Sequence, residues 1–173
     1  MKYEITNEAH PDNPNLRRIK ALRDFGDVKK GDLGGYIESE ENLSHDGDAW
    51  VYGNAWVYGN AKVYGDAWVY GNAKVYGNAK VYGNAEVYGD ACVYEDAEVY
   101  EDAEVYGDAR VSDNALVCGD AKVSGDAWVY GNAKVYGGAV LSWNAVVSGD
   151  TEEPVSQFPN EITIGGVVYV KKA

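Results

Sequence analysis

The chain has 173 residues, about the length of one domain, and a formal net charge of -13 at neutral pH. This charge excludes nucleic acid as a partner, because phosphate binding needs clustered Lys and Arg side chains. A membrane-spanning helix is excluded because the sequence has no stretch of about 18 apolar residues.

Residues 1–36 predict a small β-rich N-terminal cap. Short strand patterns occur at Tyr3-Glu4-Ile5 and at Arg18–Leu22. The opening MKYEITNEAH lacks the apolar run of a signal peptide, so we expect a cytoplasmic protein. The two lone cysteines, Cys92 and Cys118, suit a reducing compartment.

Residues 37–150 repeat a unit of six residues. Ala recurs at every sixth position from Ala49 to Ala145, and Val follows two residues later, with Leu141 the single substitute. Tyr and then Gly-Asn or Gly-Asp usually complete the unit, and Leu43 and Ile37 extend the Ala register backwards. Self-similarity at a fixed period predicts a solenoid.

The unit Ala-x-Val-Tyr predicts a short strand with Ala and Val on one face, and Gly-Asn or Gly-Asp predicts a turn. A meander of hairpins would place Ala opposite Tyr, which mixes core and solvent residues on each face. A coil that stacks in parallel places Val on Val and Tyr on Tyr, which keeps the faces separate. The pattern therefore favours the coil.

Three short sides need eighteen residues per turn, so residues 37–150 predict about six turns. Each inward Val contributes about 1.5–3 kcal/mol of burial. Counting in eighteens assigns the outward residues to a first side (Trp50, Trp68, Glu86, Glu104, Lys122), a second side (Trp56, Lys74, Cys92, Arg110, Trp128) and a third side (Lys62, Lys80, Glu98, Leu116, Lys134).

Residues 151–173 form a tail in which Ile162–Val170 predicts a β-hairpin around Gly165-Gly166. An open coil exposes strand edges at both ends, and natural solenoids cover such edges. We therefore expect a cap at each end of the coil.

The spacing of Val51 to Ala55 and of Val57 to Ala61 resembles the hexapeptide repeat of left-handed parallel β-helix proteins. The resemblance implies an all-β fold, a left-handed parallel β-helix solenoid. The residue after the aliphatic one is usually small or acidic in that family, whereas here it is Tyr, Ser or Cys. Residues 17–55 also resemble the leader of phage and prophage hexapeptide-repeat proteins, some of which carry a transferase name. This second resemblance implies a phage or prophage gene and a host-cytoplasmic protein.

Catalytic residue types are scarce. Acyltransferases of this fold typically use a histidine, which would have to be His45, on the inward Val register, or His10, before the repeat. The repeat from 49 to 150 has no insertion that could form a pocket wall. Zinc enzymes of this fold need three histidines and the chain has two. We therefore expect no enzymatic activity, no metal and no cofactor.

Long rows of outward Tyr and Trp exceed what a monomer usually leaves to water, although stacked Tyr also stabilises a coil. We expect at least one side to be an interface, and the resemblance implies a homotrimer. Residues 86–108 carry nine acidic and no basic side chains, which indicates either a solvated face or a docking stripe for a basic protein. The candidate binding residues are Trp50, Trp56, Trp68, Tyr52, Tyr70, Tyr88, Glu86, Glu95, Glu98, Glu101 and Glu104.

These observations favour a non-enzymatic scaffold or binding protein that acts through its outer faces. Two alternatives remain. One is an acyltransferase that uses His45 or His10, and the other is a viral counter-defence protein that sequesters a host protein or a small nucleotide signal.

Overall fold

The computed structural model describes residues 1–149 and the backbone of two further strands, 161–164 and 167–170. The chain begins with β1 (Tyr3–His10), β2 (Asn13–Ala21), β3 (Leu33–Ile37) and a short 3-10 helix, Glu40–Asn42. β1 pairs antiparallel with β2, and β2 pairs antiparallel with β3. The two strand patterns of the N-terminal segment lie in β1 and at the end of β2.

Seventeen short strands follow, and each belongs to one of three parallel sheets. The first side contains β4 (Trp50–Val51), β7 (Trp68–Val69), β10 (Glu86–Val87), β13 (Glu104–Val105), β16 (Lys122–Val123) and β19 (Val140–Leu141). The second contains β5 (Trp56–Val57), β8 (Lys74–Val75), β11 (Cys92–Val93), β14 (Arg110–Val111), β17 (Trp128–Tyr130) and β20 (Val146–Ser148). The third contains β6 (Lys62–Val63), β9 (Lys80–Val81), β12 (Glu98–Val99), β15 (Leu116–Val117) and β18 (Lys134–Val135).

Successive turns of the coil stack in register. Trp50 pairs with Trp68 and Val51 with Val69, and the same offset of one turn recurs along all three sheets. The chain is thus a three-sided parallel β-solenoid of about six turns, as predicted, and the assignment of outward residues to three sides is confirmed. β3 also pairs in parallel with β5, so it joins the N-terminal strands to the second side. β3 continues across the predicted boundary between residues 36 and 37. The division into three domains stays a prediction.

The interior of the coil is a column of small aliphatic side chains. Val of each unit and Ala from Ala49 to Ala139 are fully buried, and Leu43 and Ile37 extend the column towards the N-terminus. Only one Val and one Ala per unit reach the axis, so each turn buries little apolar surface by itself. Stability therefore depends on the stacking of many turns.

Ile37 pairs with Val57 and Leu43 with Val63, so the prediction that they continue the Ala register is wrong. The first turn is two residues longer than eighteen, which places both residues at Val positions and removes His45 from the Val register.

The corners of the coil need a left-handed backbone. The turn glycines have positive φ, for example +72° at Gly83, and four corners use Glu95, Glu101, Asp113 or Trp143 instead. A side chain in this region costs about 1–2 kcal/mol. At the three acidic corners a carboxylate oxygen accepts the backbone N–H of the corner one turn further, at 2.7–2.9 Å, which offsets the strain.

We expect Gly83→Ala to destabilise the coil by about 3 kcal/mol, since it adds left-handed strain and a steric contact. A Cβ at Gly83 would lie 2.8 Å from the backbone nitrogen of Glu101. Gly137→Ala is the matched control, because Gly137 has φ +65° and no atom of the described residues lies within 4 Å of an added Cβ. It should cost only about 1 kcal/mol. Urea unfolding followed by circular dichroism measures both, and equal losses would contradict the steric part of the prediction.

Side chains cover the N-terminal edge of the coil. Lys2 Nζ donates to the carbonyl oxygens of Gly47 (3.3 Å) and Ala49 (2.7 Å). Asn42 Nδ2 donates to the equivalent carbonyls two corners further along the chain, Gly59 O and Ala61 O. Inside the coil such carbonyls accept backbone N–H groups of the preceding turn, as in Trp50 N to Ala67 O at 3.0 Å. The N-terminal segment thus replaces the missing turn.

At the other end, the predicted hairpin is present. β21 (Glu161–Ile164) pairs antiparallel with β22 (Val167–Val170), and Ile164 is opposite Val167. The remaining residues of the tail lie outside the described part of the chain.

Candidate binding grooves beside the cap

A first groove of about 500 Å³ lies where the β1–β2 turn approaches the second side. It combines aromatic, amide, carboxylate and basic groups with one thiol. The lining residues are His10, Pro11, Asp12, Tyr36, Asn54, Trp56, Asn72, Lys74, Asp90 and Cys92.

Aromatic contacts hold the turn against the coil. The His10 ring lies edge-on to Tyr36 at 4.6 Å and to Trp56 at 4.4 Å. Lys74 Nζ lies 4.5 Å from the centre of the Trp56 ring, which is a cation–π contact. The Trp56 ring is thus already in contact with the His10 ring and with the Lys74 ammonium of the same chain.

The hydrogen bond to His10 selects one tautomer of its neutral ring. The backbone N–H of Asp12 donates to His10 Nδ1 at 3.1 Å. A neutral imidazole that accepts at Nδ1 carries its proton on Nε2, so the free nitrogen is a donor. A general base needs an unprotonated nitrogen directed at the substrate, and His10 does not present one.

A second groove of about 340 Å³ lies where the loop between β2 and β3, here called the cap loop, meets the first side. Its lining residues are Asp27, Tyr52, Trp68, Tyr70 and Glu86. Three rings and two carboxylates line this groove, and none of the lining residues is basic. Four of the five lining residues are among the candidate binding residues.

Hydrogen bonding fixes the upper wall of the second groove. Tyr70 OH donates to Glu86 Oε2 at 2.8 Å, and the Tyr70 ring stacks on Tyr88 at 4.8 Å. Burial, followed by the hydrogen bond to Glu86, raises the pKa of Tyr70. The phenol therefore stays protonated at neutral pH and keeps donating to the carboxylate.

The remaining candidate residues fall in different places. Trp50 is only 1 % exposed and packs on Phe25 at 5.2 Å and on Tyr3 at 6.3 Å. Its prediction as an outward binding residue is therefore wrong, because the cap covers the first turn of the first side. Trp56 lies in the first groove, and Tyr88 is stacked between Tyr70 and Tyr106.

The acidic stretch is largely engaged within the coil. Glu98 Oε1 and Glu104 Oε1 each accept a lysine ammonium at 2.7 Å, from Lys80 and Lys122. These lysine hydrogen bonds, the largest cause in each case, lower the pKa of both carboxyl groups. Glu95 and Glu101 accept corner N–H groups. The stretch thus stabilises corners and sheets, and this use competes with a role as a docking stripe.

His45 and the cysteines offer little chemistry. His45 Nδ1 accepts the backbone N–H of Lys2 at 3.2 Å, its ring stacks on Tyr3 at 4.3 Å, and its Nε2 is buried without a partner among the described residues. Burial raises the pKa of the Cys92 thiol, which disfavours a nucleophilic thiolate. Cys118 is on the third side and Cys92 on the second, so they are apart.

Sequence reasoning missed Asp27 and considered His10 only as a catalyst. Asp27 belongs to the turn between Phe25 and Val28, which form an isolated bridge. Nothing in the repeat indicates which side this turn approaches, since its position depends on tertiary packing of Phe25 and Trp50. The approach of His10 to Trp56 has the same origin.

Among the residues that the structure describes, no helix has the length and apolar character needed to cross a membrane. Comparison with known proteins agrees with the fold. A family model described as the YdcK β-solenoid repeat matches residues 55–71 and 103–119. A protein of Escherichia coli (strain K12), named "Uncharacterized acetyltransferase YdcK", is 36% identical over 50 residues. The alignment covers 29% of this chain and 15% of that protein. These matches fit a hexapeptide-repeat β-helix family.

Proposed function

We propose that this β-solenoid is a non-enzymatic binding protein that acts through its outer faces, with its ligand contacts at the two grooves beside the cap. The observation that carries the proposal is the placement of both grooves. The repeat is uninterrupted from 49 to 150, and each groove forms where a cap turn approaches an aromatic row. Such grooves combine apolar rings with a few polar groups, as ligand sites do.

Acyl transfer is the second candidate, and the name of the Escherichia coli relative favours it. In that case the first groove would hold the acyl donor and His10 would act as the base. Two observations count against this reaction: the hydrogen bond at His10 Nδ1 and the raised pKa of the Cys92 thiol. Both leave the groove without an activated base or nucleophile.

Calorimetry with acetyl-coenzyme A distinguishes the two functions. The binding-protein function predicts no saturable heat and no acetyl transfer to amine or hydroxyl acceptors. Tight binding together with transfer that is lost in His10→Ala would establish the enzyme and overturn the proposal. His45→Ala is the control, because the His45 ring stacks on Tyr3 and lines neither groove, so its removal should not affect either measurement.

The positive test uses immobilised protein and mass spectrometry of what it retains from host lysate. Saturable retention of one identified partner or small molecule should be lost in Trp68→Leu or in Trp56→Leu. It should persist in Tyr100→Leu, because Tyr100 follows β12 on the third side and lines neither groove. Retention that none of these substitutions changes would contradict a site at the grooves.

Assembly as a homotrimer belongs to the same proposal. Large apolar side chains are exposed on the last two turns, at Trp128 (39 %), Val140 (55 %) and Trp143 (74 %). An interface between copies would cover them. Light scattering tests this part, and a monomer at micromolar concentration would contradict it.

The resemblance of residues 17–55 to phage and prophage leaders supports a phage gene and a role in the host cytoplasm. The position of the gene in a genome tests this part, since a location outside any phage or prophage region would contradict it.

A further inference from the structure

Three glutamates of the coil share one local environment. In each, Oε2 accepts the hydroxyl of a tyrosine: Tyr70 to Glu86 at 2.8 Å, Tyr82 to Glu98 at 3.0 Å and Tyr88 to Glu104 at 3.1 Å. In Glu98 and Glu104 the other oxygen, Oε1, accepts a lysine ammonium at 2.7 Å. The coil thus contains two completed tyrosine–glutamate–ammonium arrangements.

Glu86 lacks the third member. Its neighbours in the sheet are Trp68 on one side and Glu104 on the other, so no lysine lies in register with it. Within residues 1–149 no cation lies within salt-bridge distance of Glu86 Oε1. The carboxylate is half-buried, and a half-buried charge gains more from a cation than a fully solvated one does.

The adjacent tryptophan differs from its counterpart in the same way. On the second side, Trp56 has Lys74 in register on the next turn, and the ammonium lies 4.5 Å from the ring centre. On the first side, Trp68 has Glu86 in register on the next turn. Trp68 therefore has a carboxylate next to it and no cation over its ring in the described part of the chain.

The tyrosine stack opens at the same place. At the start of the other two sides, Tyr58 stacks on Tyr76 at 5.1 Å and Tyr64 on Tyr82 at 4.8 Å. Tyr52 makes no such stack with Tyr70 and is 52 % exposed. Tyr52 and Tyr70 instead form two walls of the second groove, with Trp68 between them in sequence.

From these contacts we propose that the second groove binds an alkylammonium ion, of the kind that a lysine side chain presents. The ammonium donates to Glu86 Oε1, as Lys80 does to Glu98, and lies against Trp68 and Tyr52. Asp27 adds a second negative charge from the cap loop. Aromatic rings combined with carboxylates bind ammonium ions through cation–π attraction and hydrogen bonding.

The same chemistry selects against other ligands. Anions are repelled by the two carboxylates, and none of the five described lining residues is basic to offset them. A neutral apolar ligand would leave Glu86 Oε1 desolvated without a donor, which is unfavourable. The net charge of -13 further attracts cationic ligands over long range.

This inference deepens the proposed function, because it names the ligand class of one of the two grooves. The test is a titration of the full chain with n-butylammonium, followed by the NMR signal of the Trp68 indole N–H, which Trp68→Phe assigns. We expect a saturable shift with a millimolar Kd. Glu86→Gln should weaken binding at least tenfold, and Tyr52→Ser about threefold.

Glu98→Gln is the matched control, since Glu98 has the same tyrosine partner but already holds Lys80, on the third side. It should leave the Kd unchanged. Tetramethylammonium, which cannot donate a hydrogen bond, should bind more weakly than n-butylammonium. A peptide with a single lysine that binds more tightly than n-butylammonium supports a protein partner, and equal affinities support a small amine.

The inference is overturned if the Trp68 signal does not saturate or if Glu86→Gln binds as well as the unaltered chain. Its failure is distinguishable from failure of the proposed function. If the immobilised protein retains a partner equally with and without Glu86→Gln, the ammonium site is contradicted. The proposal of a binding protein would still stand.

Discussion

Between pH 10 and pH 12 the protein is expected to unfold cooperatively, because the stacked tyrosines resist ionisation in the folded chain. Burial raises the pKa of Tyr76 to about 12, and burial with the Glu104 hydrogen bond does the same for Tyr88. For Tyr100, a hydrogen bond with Cys118 and then burial raise the pKa to about 12. Tyr70 and Tyr82 shift in the same direction.

The sign of the effect follows from proton linkage. Tyrosine in the unfolded chain has a pKa of about 10, so the unfolded state releases protons that the folded state still holds. Stability that is fully present below pH 10 is then lost as the pH rises towards 12. The stacked tyrosines are partly exposed, so solvent screening reduces each contribution to roughly 1 kcal/mol. Five such residues remove about 5 kcal/mol, comparable with the whole stability of many domains.

Lys2 acts in the opposite direction at lower pH. Burial lowers its pKa from 10.5 to about 8, so the folded state releases this proton first. The unfolded state then binds more protons between pH 8 and pH 10.5, and stability rises over that window. The effect of one lysine is smaller than that of five tyrosines, so the net loss of stability should begin above pH 10.

Two spectroscopic titrations measure the effect. Tyrosinate absorbance near 295 nm and far-ultraviolet circular dichroism should change together, more steeply than a single ionisation allows. The variant with Tyr70→Phe, Tyr82→Phe and Tyr88→Phe should shift the midpoint to higher pH, because these rings no longer ionise. Tyrosine titration near pH 10 with the dichroism unchanged would contradict the prediction.

The repeat made the coil predictable from sequence. Its period gives the turn length, and the requirement that Val lie on Val selects parallel stacking, so each outward residue could be assigned to its side. Prediction was weaker where the repeat meets the cap. Trp50 and Trp68 occupy equivalent positions in the sequence, yet the cap buries Trp50 and leaves Trp68 in a groove.

The second groove shows the same division. Tyr52, Trp68 and Tyr70 were candidates as members of the outward aromatic rows, and Glu86 as part of the acidic stretch. The coil brings these four together because they fall on one side. Asp27 was not, because the approach of the cap loop depends on Phe25 packing against Trp50. The pairing of each glutamate with tyrosine and lysine depends on side-chain conformation, which the period does not determine. Glu86 differs from Glu98 and Glu104 only when their partners are compared.

The largest effect of a single substitution is expected at Asn42, which closes the N-terminal edge of the coil. Its side chain is fully buried. Nδ2 donates to Gly59 O at 3.0 Å and to Ala61 O at 2.9 Å. Oδ1 accepts the backbone N–H groups of Glu38 at 3.1 Å and Ser39 at 2.9 Å. One amide thus satisfies four backbone groups.

Asn42→Ala should lower the free energy of unfolding by about 4 kcal/mol, because an unsatisfied buried polar group costs about 1–3 kcal/mol and some of the four will reach water. Asn42→Asp should be comparably destabilising, since it places a carboxylate oxygen against two carbonyl oxygens. Neither substitution changes the column of Val and Ala. The loss of stability would therefore report the hydrogen bonding of the backbone at the N-terminal edge of the coil, and not the packing of the core.

Asn60→Ala is the control for this prediction. Asn60 is an exposed corner residue whose Nδ2 donates to Asn78 Oδ1 at 3.0 Å, so water can replace its hydrogen bond. It should cost under about 1 kcal/mol by urea unfolding. A loss at Asn42 as small as the loss at Asn60 would mean that the first turn does not need a side-chain donor. In that case the carbonyls of Gly59 and Ala61 would be satisfied by solvent, and Lys2 would be the side-chain donor that the N-terminal edge of the coil still uses.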